Sequence, residues 1–195
     1  QAYREALSLA KTEADKLRIL ERIAISYNSY AGALLEQKKY PQSEQPCLDA
    51  IHAYREALSL VKTEADKLRI FEIIRRIYFI HAKALFEQRK YSELKEILDK
   101  SLEELKKEIK FNEAIVPQNT VETEVKNRTI TMSASNSKQI AELYFQMNRY
   151  EKAKDVALAG LYLRCSDNDL NIELSNLLTR ILEKMTSQNT ESEEK

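Results

Sequence analysis

Residues 2–23 read AYREALSLAKTEADKLRILERI, and residues 53–74 read AYREALSLVKTEADKLRIFEII. Only Ala10/Val61, Leu20/Phe71 and Arg22/Ile73 differ, so nineteen of twenty-two positions match at an offset of 51 residues. A near-copy of this length marks a repeating unit, one that buries its apolar face only by stacking on neighbours. The likeness continues in ALLEQKKY at 33–40 and ALFEQRKY at 84–91, and a weaker third copy, ELYFQMNRY, ends at Tyr150. Tyr40 to Tyr91 spans 51 residues again, whereas Tyr91 to Tyr150 spans 59, so the third unit is shifted by eight residues.

Each unit reads as two antiparallel helices. Thr12-Glu13-Ala14-Asp15 and Thr63-Glu64-Ala65-Asp66 have the form of helix starts, with a threonine hydroxyl to accept an orphan N–H and an aspartate three positions on to reach back. After Thr63, the residues Leu68, Phe71, Ile74, Tyr78, Ala82, Leu85 and Phe86 recur at spacings of one helical face. A tight turn is expected before Tyr91, followed by a second helix carrying Leu94, Ile97, Leu98, Leu102, Leu105 and Ile109. In the first unit, Pro41 and Pro46 predict that the second helix starts late or bends. Ser166-Asp167-Asn168-Asp169 has the form of another capping box and opens a last helix.

The repeat units are placed at 12–62, 63–115 and 136–165, with a terminal helix over 167–185, all within one domain of residues 1–185. Between them, FNEAIVPQNTVETEVKNRTITMSASN at 111–136 loses its periodicity and is expected to be an irregular insertion, distorted or partly helical. The polar TSQNTESEEK at 186–195 is expected to be a disordered acidic tail. Gln1 already stands inside a repeat, which predicts a fragment of a longer array, or self-association through the ends of the stack.

Composition agrees with an all-α chain. Two glycines and three prolines are too few for a fold that turns every few residues, and 43% hydrophobic residues suffice for a continuous core. Lys plus Arg and Asp plus Glu both total 31, so no global charge favours nucleic acid or an anionic membrane, and no apolar run is long enough to span a bilayer. Cys47 and Cys165 read as two buried free thiols, as in a reducing cytoplasm.

These units resemble tetratricopeptide repeats, a family that places small residues where its two helices cross and an aromatic at the turn. In the third unit, Ala141, Tyr144, Tyr150, Ala153, Ala157 and Gly160 fit that pattern. The matching residues are Ala31, Leu34, Tyr40, Ser43, Cys47 and Ala50 in the first unit, and Ala82, Leu85, Tyr91, Leu94, Leu98 and Ser101 in the second. The resemblance implies an α-α superhelix, here with a 51-residue period rather than the usual one of about 34 residues. The extra length predicts a slab of long hairpins.

The resemblance also implies function. The first helix of each unit lines a concave groove that holds a peptide segment or another protein. Its groove positions fall on Ile25, Asn28, Gly32, Leu35 and Glu36; on Arg76, Phe79, Lys83, Phe86 and Glu87; and on Ser135, Lys138, Glu142, Phe145 and Gln146. Asn28, Arg76, Phe79, Lys83, Lys138 and Glu142 are the candidate partner-binding residues. The opposing reading makes Ile25, Phe79, Phe86 and Phe145 core residues, and makes the charges around Arg75-Arg76 a solvated face. A second class of function is a regulatory array that senses a small peptide or signal, and a bacterial effector or secretion chaperone is a variant of the scaffold. Catalysis is not expected, because no glycine-rich loop or nucleophile elbow occurs. His52 and His81 stand outside any ligand spacing, so no metal or cofactor is expected either.

Overall fold

A computed structural model describes residues 5, 7–114, 120–163 and 165–193. Among these residues the protein is all-α, with helices α1 (Glu13–Glu36), α2 (Tyr40–Leu60), α3 (Glu64–Glu87), α4 (Tyr91–Ala114), α5 (Thr120–Gln146), α6 (Tyr150–Tyr162) and α7 (Asn168–Glu193). The chain divides into two compact units, Gln1–Glu104 and Leu105–Lys195. In the first unit α2 packs on both α1 and α3, and α1 also touches α3. In the second, α6 packs on both α5 and α7, and α5 touches α7. Three-residue connections reverse the direction from α1 to α2 and from α2 to α3, so α1 and α3 run parallel.

The three turns before Tyr40, Tyr91 and Tyr150 share one geometry. Lys38, Arg89 and Asn148 take φ of 58°, 58° and 56°. The next amide closes each helix on the carbonyl five residues back, as in Lys39 N to Leu34 O (2.8 Å), Lys90 N to Leu85 O (3.0 Å) and Arg149 N to Tyr144 O (2.9 Å). This is a Schellman motif built without glycine, which leaves a steric cost at each left-handed residue.

Helix starts follow the sequence with two corrections. Thr12 and Thr63 hydroxyls accept the amides of Asp15 and Asp66, at 3.0 and 3.1 Å. The aspartates do not reach the threonine backbone. Their carboxylates accept the hydroxyl proton instead, at 2.8 and 2.6 Å, because the aspartate side chain is one methylene shorter than glutamate. In α7 the cap is Asp167, whose Oδ1 accepts the amide of Leu170 at 3.0 Å, one residue later than the expected Ser166.

Three further expectations change. α2 starts at Tyr40, ahead of both prolines. Pro41 sits in the first turn, where its missing N–H is unneeded, and Pro46 is tolerated inside the helix as a buried residue. The segment 111–136 is not an irregular insertion where it is described: α4 runs to Ala114 and α5 begins at Thr120, while Pro117 and the rest of 115–119 lie outside the described residues. Its Ser and Thr side chains bond back to carbonyls one turn earlier, Thr131 to Asn127 at 3.1 Å and Ser137 to Ser133 at 2.8 Å. Ser133, Ala134, Asn136 and Ser137 are buried, so these small residues are a packing seam and not a loop. Finally, α7 continues to Glu193 through part of the expected disordered tail, with Thr186 and Ser187 bonded back in the same way.

Burial tests the repeat register. Of the eighteen crossing and turn positions named above, the fifteen that are not turn tyrosines are buried. Tyr91 is 50% exposed, and Tyr40 and Tyr150 are partly exposed. Gly160 shows how close the helices come: a Cβ built there would stand 2.9 Å from Ser137 Cβ and 3.2 Å from a Leu174 methyl. Each fully buried Leu or Ile contributes roughly 1.5–3 kcal/mol. Both cysteines are free and buried, and burial, with Glu44 adding to it, pushes the Cys47 thiol up to about 12.

Candidate protein-binding surface

The first helices of the repeats were expected to present fifteen groove residues. None of the fifteen is buried; each is partly or fully exposed. Ile25, at 51% exposure, is plainly outside the core, and Phe79, Phe86 and Phe145 are half-buried. Two of these phenylalanines serve the turns. Phe86 meets Tyr91 edge-on with centroids 6.3 Å apart, and Phe145 meets Tyr150 at 5.5 Å. Phe145 is further covered by the Arg180 guanidinium, 5.2 Å from its centroid.

In the first unit, α1 and α3 are tied by Arg69 Nη2 donating to Glu21 Oε1 at 2.5 Å. Seven residues is close to two helical turns, so positions seven apart share a face. Asn28 and Leu35 therefore follow Glu21 along α1, and Arg76 and Lys83 follow Arg69 along α3. Because the helices are parallel, register sets Asn28 opposite Arg76 and Leu35 opposite Lys83. Arg69 is engaged by Glu21 and, at 3.5 Å, by Asp66. Arg76 and Lys83 are exposed and form no ion pair among the described residues. Asn28 Oδ1 is buried and accepts no hydrogen bond. The repeat-equivalent residue is Phe79, so an amide at Asn28 is not a requirement of the fold.

The second unit places Lys138 and Glu142 differently. Lys138 Nζ donates to Glu173 Oε2 at 2.6 Å and lies 4.0 Å from Glu142 Oε1. The hydrogen bond from Lys138 to Glu173 raises the lysine's pKa against the opposing effect of burial. Lys138 thus ties α5 to α7. Of the candidate residues, Arg76, Phe79 and Lys83 lie along α3 and Asn28 on α1 in the first unit, while Lys138 stands 4.0 Å from Glu142 in the second.

Sequence reasoning missed Arg69. Its seven-residue spacing to Arg76 and on to Lys83 was the available signal. The basic cluster was only partly separated from its neutralising partners: Arg75 is fully buried and Glu72 nearly so, while Lys90 pairs with Glu44 at 2.7 Å. Among the described residues, no group of three or more His, Cys, Asp or Glu side chains is placed to hold a metal ion, and no helix is long and apolar enough to cross a membrane. A scan of protein-family models finds none that matches the chain, and no curated protein sequence matches it.

Proposed function

We propose that this chain is a tetratricopeptide-like scaffold that grips an acidic segment of a partner protein along the first helices of its repeats. One observation carries the reading: α3 sets two cations that form no ion pair among the described residues, Arg76 and Lys83, and the half-buried Phe79 on accessible positions of one repeat register. Cations without an internal partner keep their full charge for a ligand. The apolar Ile25 and Phe79 beside them offer area that a purely electrostatic contact lacks. The open space above Gly32, where a built Cβ meets nothing within 4 Å, leaves room for a backbone to approach α1. Asn28 carries a carboxamide oxygen that has no internal donor among the described residues. A helix or an extended segment with a carboxylate every second turn fits this spacing.

The test is selection of displayed peptides on the intact chain, followed by affinity measurement with the Arg76→Glu/Lys83→Glu variant. Acidic peptides should be enriched, and the double reversal should weaken them at least tenfold while the far-ultraviolet circular dichroism stays unchanged. Raising salt from low to physiological levels should weaken the wild-type contact, because the Debye length falls to about 8 Å at 0.15 M. Enriched peptides that bind wild type and double reversal equally would move the binding surface elsewhere and refute the assignment.

A further inference from the structure

The duplication supplies an internal comparison on a second face of α1, apart from the proposed groove. At an offset of 51, Ile19, Ser26, Tyr30 and Ala33 of α1 correspond to Ile70, Ile77, His81 and Ala84 of α3. The α3 residues are 0%, 0%, 4% and 0% exposed. On α1, Tyr30 is 55% exposed, Ser26 and Ala33 are exposed, and Ile19 is half-buried. The helix that lies alongside α3 on this side is α2. Glu44 of α2 accepts from Gln88 Nε2 at 2.8 Å and from Lys90 Nζ at 2.7 Å, and Arg55 donates to Tyr78 at 2.9 Å. Gln37, Lys39 and Tyr27 are the corresponding residues around α1. Gln37 and Lys39 are exposed, and their side chains have no partner among the described residues. Ahead of α1, the described helical residues Glu5, Leu7 and Ser8 match Glu56, Leu58 and Ser59 near the end of α2.

We propose that this face of α1 is a docking surface for an amphipathic helix of the same chemistry as residues 40–60. Such a helix presents a carboxylate at the Glu44 position, an aliphatic side chain seven residues on, as Ile51 is, and a guanidinium four further, as Arg55 is. The carboxylate is received by Lys39 and Gln37, which repeat the pair that holds Glu44. The guanidinium meets the hydroxyl of Tyr27, which repeats Tyr78. The aliphatic residue covers Tyr30 and Ala33, whose equivalents His81 and Ala84 are closed off. The α2–α3 interface is thus a ready template for this docking, with matched charge as well as matched shape.

The chain contains no tryptophan, so Tyr30→Trp places a single fluorescent reporter on the face. A synthetic peptide of residues 40–60 is titrated into that protein. A second protein carries the sequence of residues 40–52 joined directly ahead of residue 2, which completes an α2-like helix in cis. Both should blue-shift the emission and protect the indole from acrylamide quenching. Lys39→Glu should weaken peptide binding at least tenfold, peptide Glu44→Lys should do the same, and the two together should restore it. An unshifted spectrum in the joined protein, or binding indifferent to Lys39→Glu, overturns the proposal. A shift that depends on protein concentration without any peptide also overturns it, by making a second copy of the chain the occupant.

Discussion

Gly160→Ala and Gly32→Ala form a matched pair that isolates one energy term. Both glycines lie inside helices, Gly160 in α6 and Gly32 in α1. In an open site, alanine gains about 0.8–1 kcal/mol over glycine in helix propensity. Gly32 is such a site, since an added Cβ meets nothing within 4 Å. Gly160 is not: its Cβ would stand 2.9 Å from Ser137 Cβ and 3.2 and 3.3 Å from the two Leu174 methyls. The leucine can rotate, but Ser137 Cβ moves only if the backbone of α5 moves. Overpacking of that kind costs roughly 1–3 kcal/mol, which outweighs the propensity gain. Urea denaturation followed by circular dichroism should therefore find Gly32→Ala stabilised by about 0.5–1 kcal/mol. Gly160→Ala should be destabilised by about 1 kcal/mol, the difference between overpacking and propensity. If Gly160→Ala were stabilised as much as Gly32→Ala, α5 and α6 would not approach as closely as described, and the small-residue register of the third repeat would fail with them.

Other outcomes follow from single observations. Replacing Lys38, Arg89 or Asn148 by glycine should raise stability by about 0.5 kcal/mol each in thermal denaturation, as relief of the left-handed strain exceeds glycine's entropic cost. Ala82→Leu and Ala141→Leu, both at fully buried crossings, should each cost roughly 1–3 kcal/mol, read as a lower urea midpoint. Burial holds His81 below the usual histidine range, against the attraction of Glu44 and with the support of Lys90 and Lys100. The unfolded chain then takes up a proton near pH 6.5 that the folded chain resists. Stability should accordingly fall as pH drops through that value, and His81→Gln should flatten the slope measured by denaturant titration between pH 7 and 5. Glu44 acts in a lower window. Its burial opposes ionisation, but hydrogen bonds from Lys90 and Gln88 overcome it and leave the carboxyl lowered, so its contribution is lost only as pH falls below 4.5. Glu44→Gln should reduce stability at pH 7 and reduce the loss seen on acidification.

The fold was legible where period and caps agreed. The duplicated heptad-like spacing from Leu68 to Phe86 and the threonine caps at Thr12 and Thr63 fixed α1 and α3 closely. It was illegible at 120–137 because Ser, Thr and Asn carry two physical roles. Their propensity argues for turns, yet Thr131, Ser133 and Ser137 bond back within α5, and their small size lets another helix come close. A pattern that counts only large apolar residues reads that seam as a loop. All fifteen transferred groove positions avoid the core, so the repeat register was legible as accessibility. The site was not legible as charge state. Nothing in the spacing distinguishes Arg76, which has no internal partner among the described residues, from Lys138, which is held by Glu173 from a helix 35 residues away.

The repeat makes that limit quantitative in the chain's own terms. Leu17 and Leu68, Ile19 and Ile70, and Ala33 and Ala84 are identical residues in near-identical sequence, yet the second member of each pair is buried and the first is not. Local sequence therefore determines that both segments are helices with the same apolar stripe, and it cannot determine burial, which depends on whether α2 lies alongside. The residues around α3 that hold α2, namely Gln88, Lys90 and Tyr78, are reproduced around α1 at Gln37, Lys39 and Tyr27. An apolar face that is closed in one copy and open in the other exposes Tyr30 and Ala33 to water without any gain in folding, because their burial is what such a stripe contributes. The same argument gives the sign of a final comparison. Tyr30→Ser should leave the stability of the chain nearly unchanged, as exposed positions usually shift it by no more than about 0.5 kcal/mol. Ile77→Ser should cost several-fold more in the same urea titration, since it puts a hydroxyl into a site that is 0% exposed. Equal effects at Tyr30 and Ile77 would mean that Tyr30 is enclosed as Ile77 is, and the open face of α1 would be lost as a docking surface.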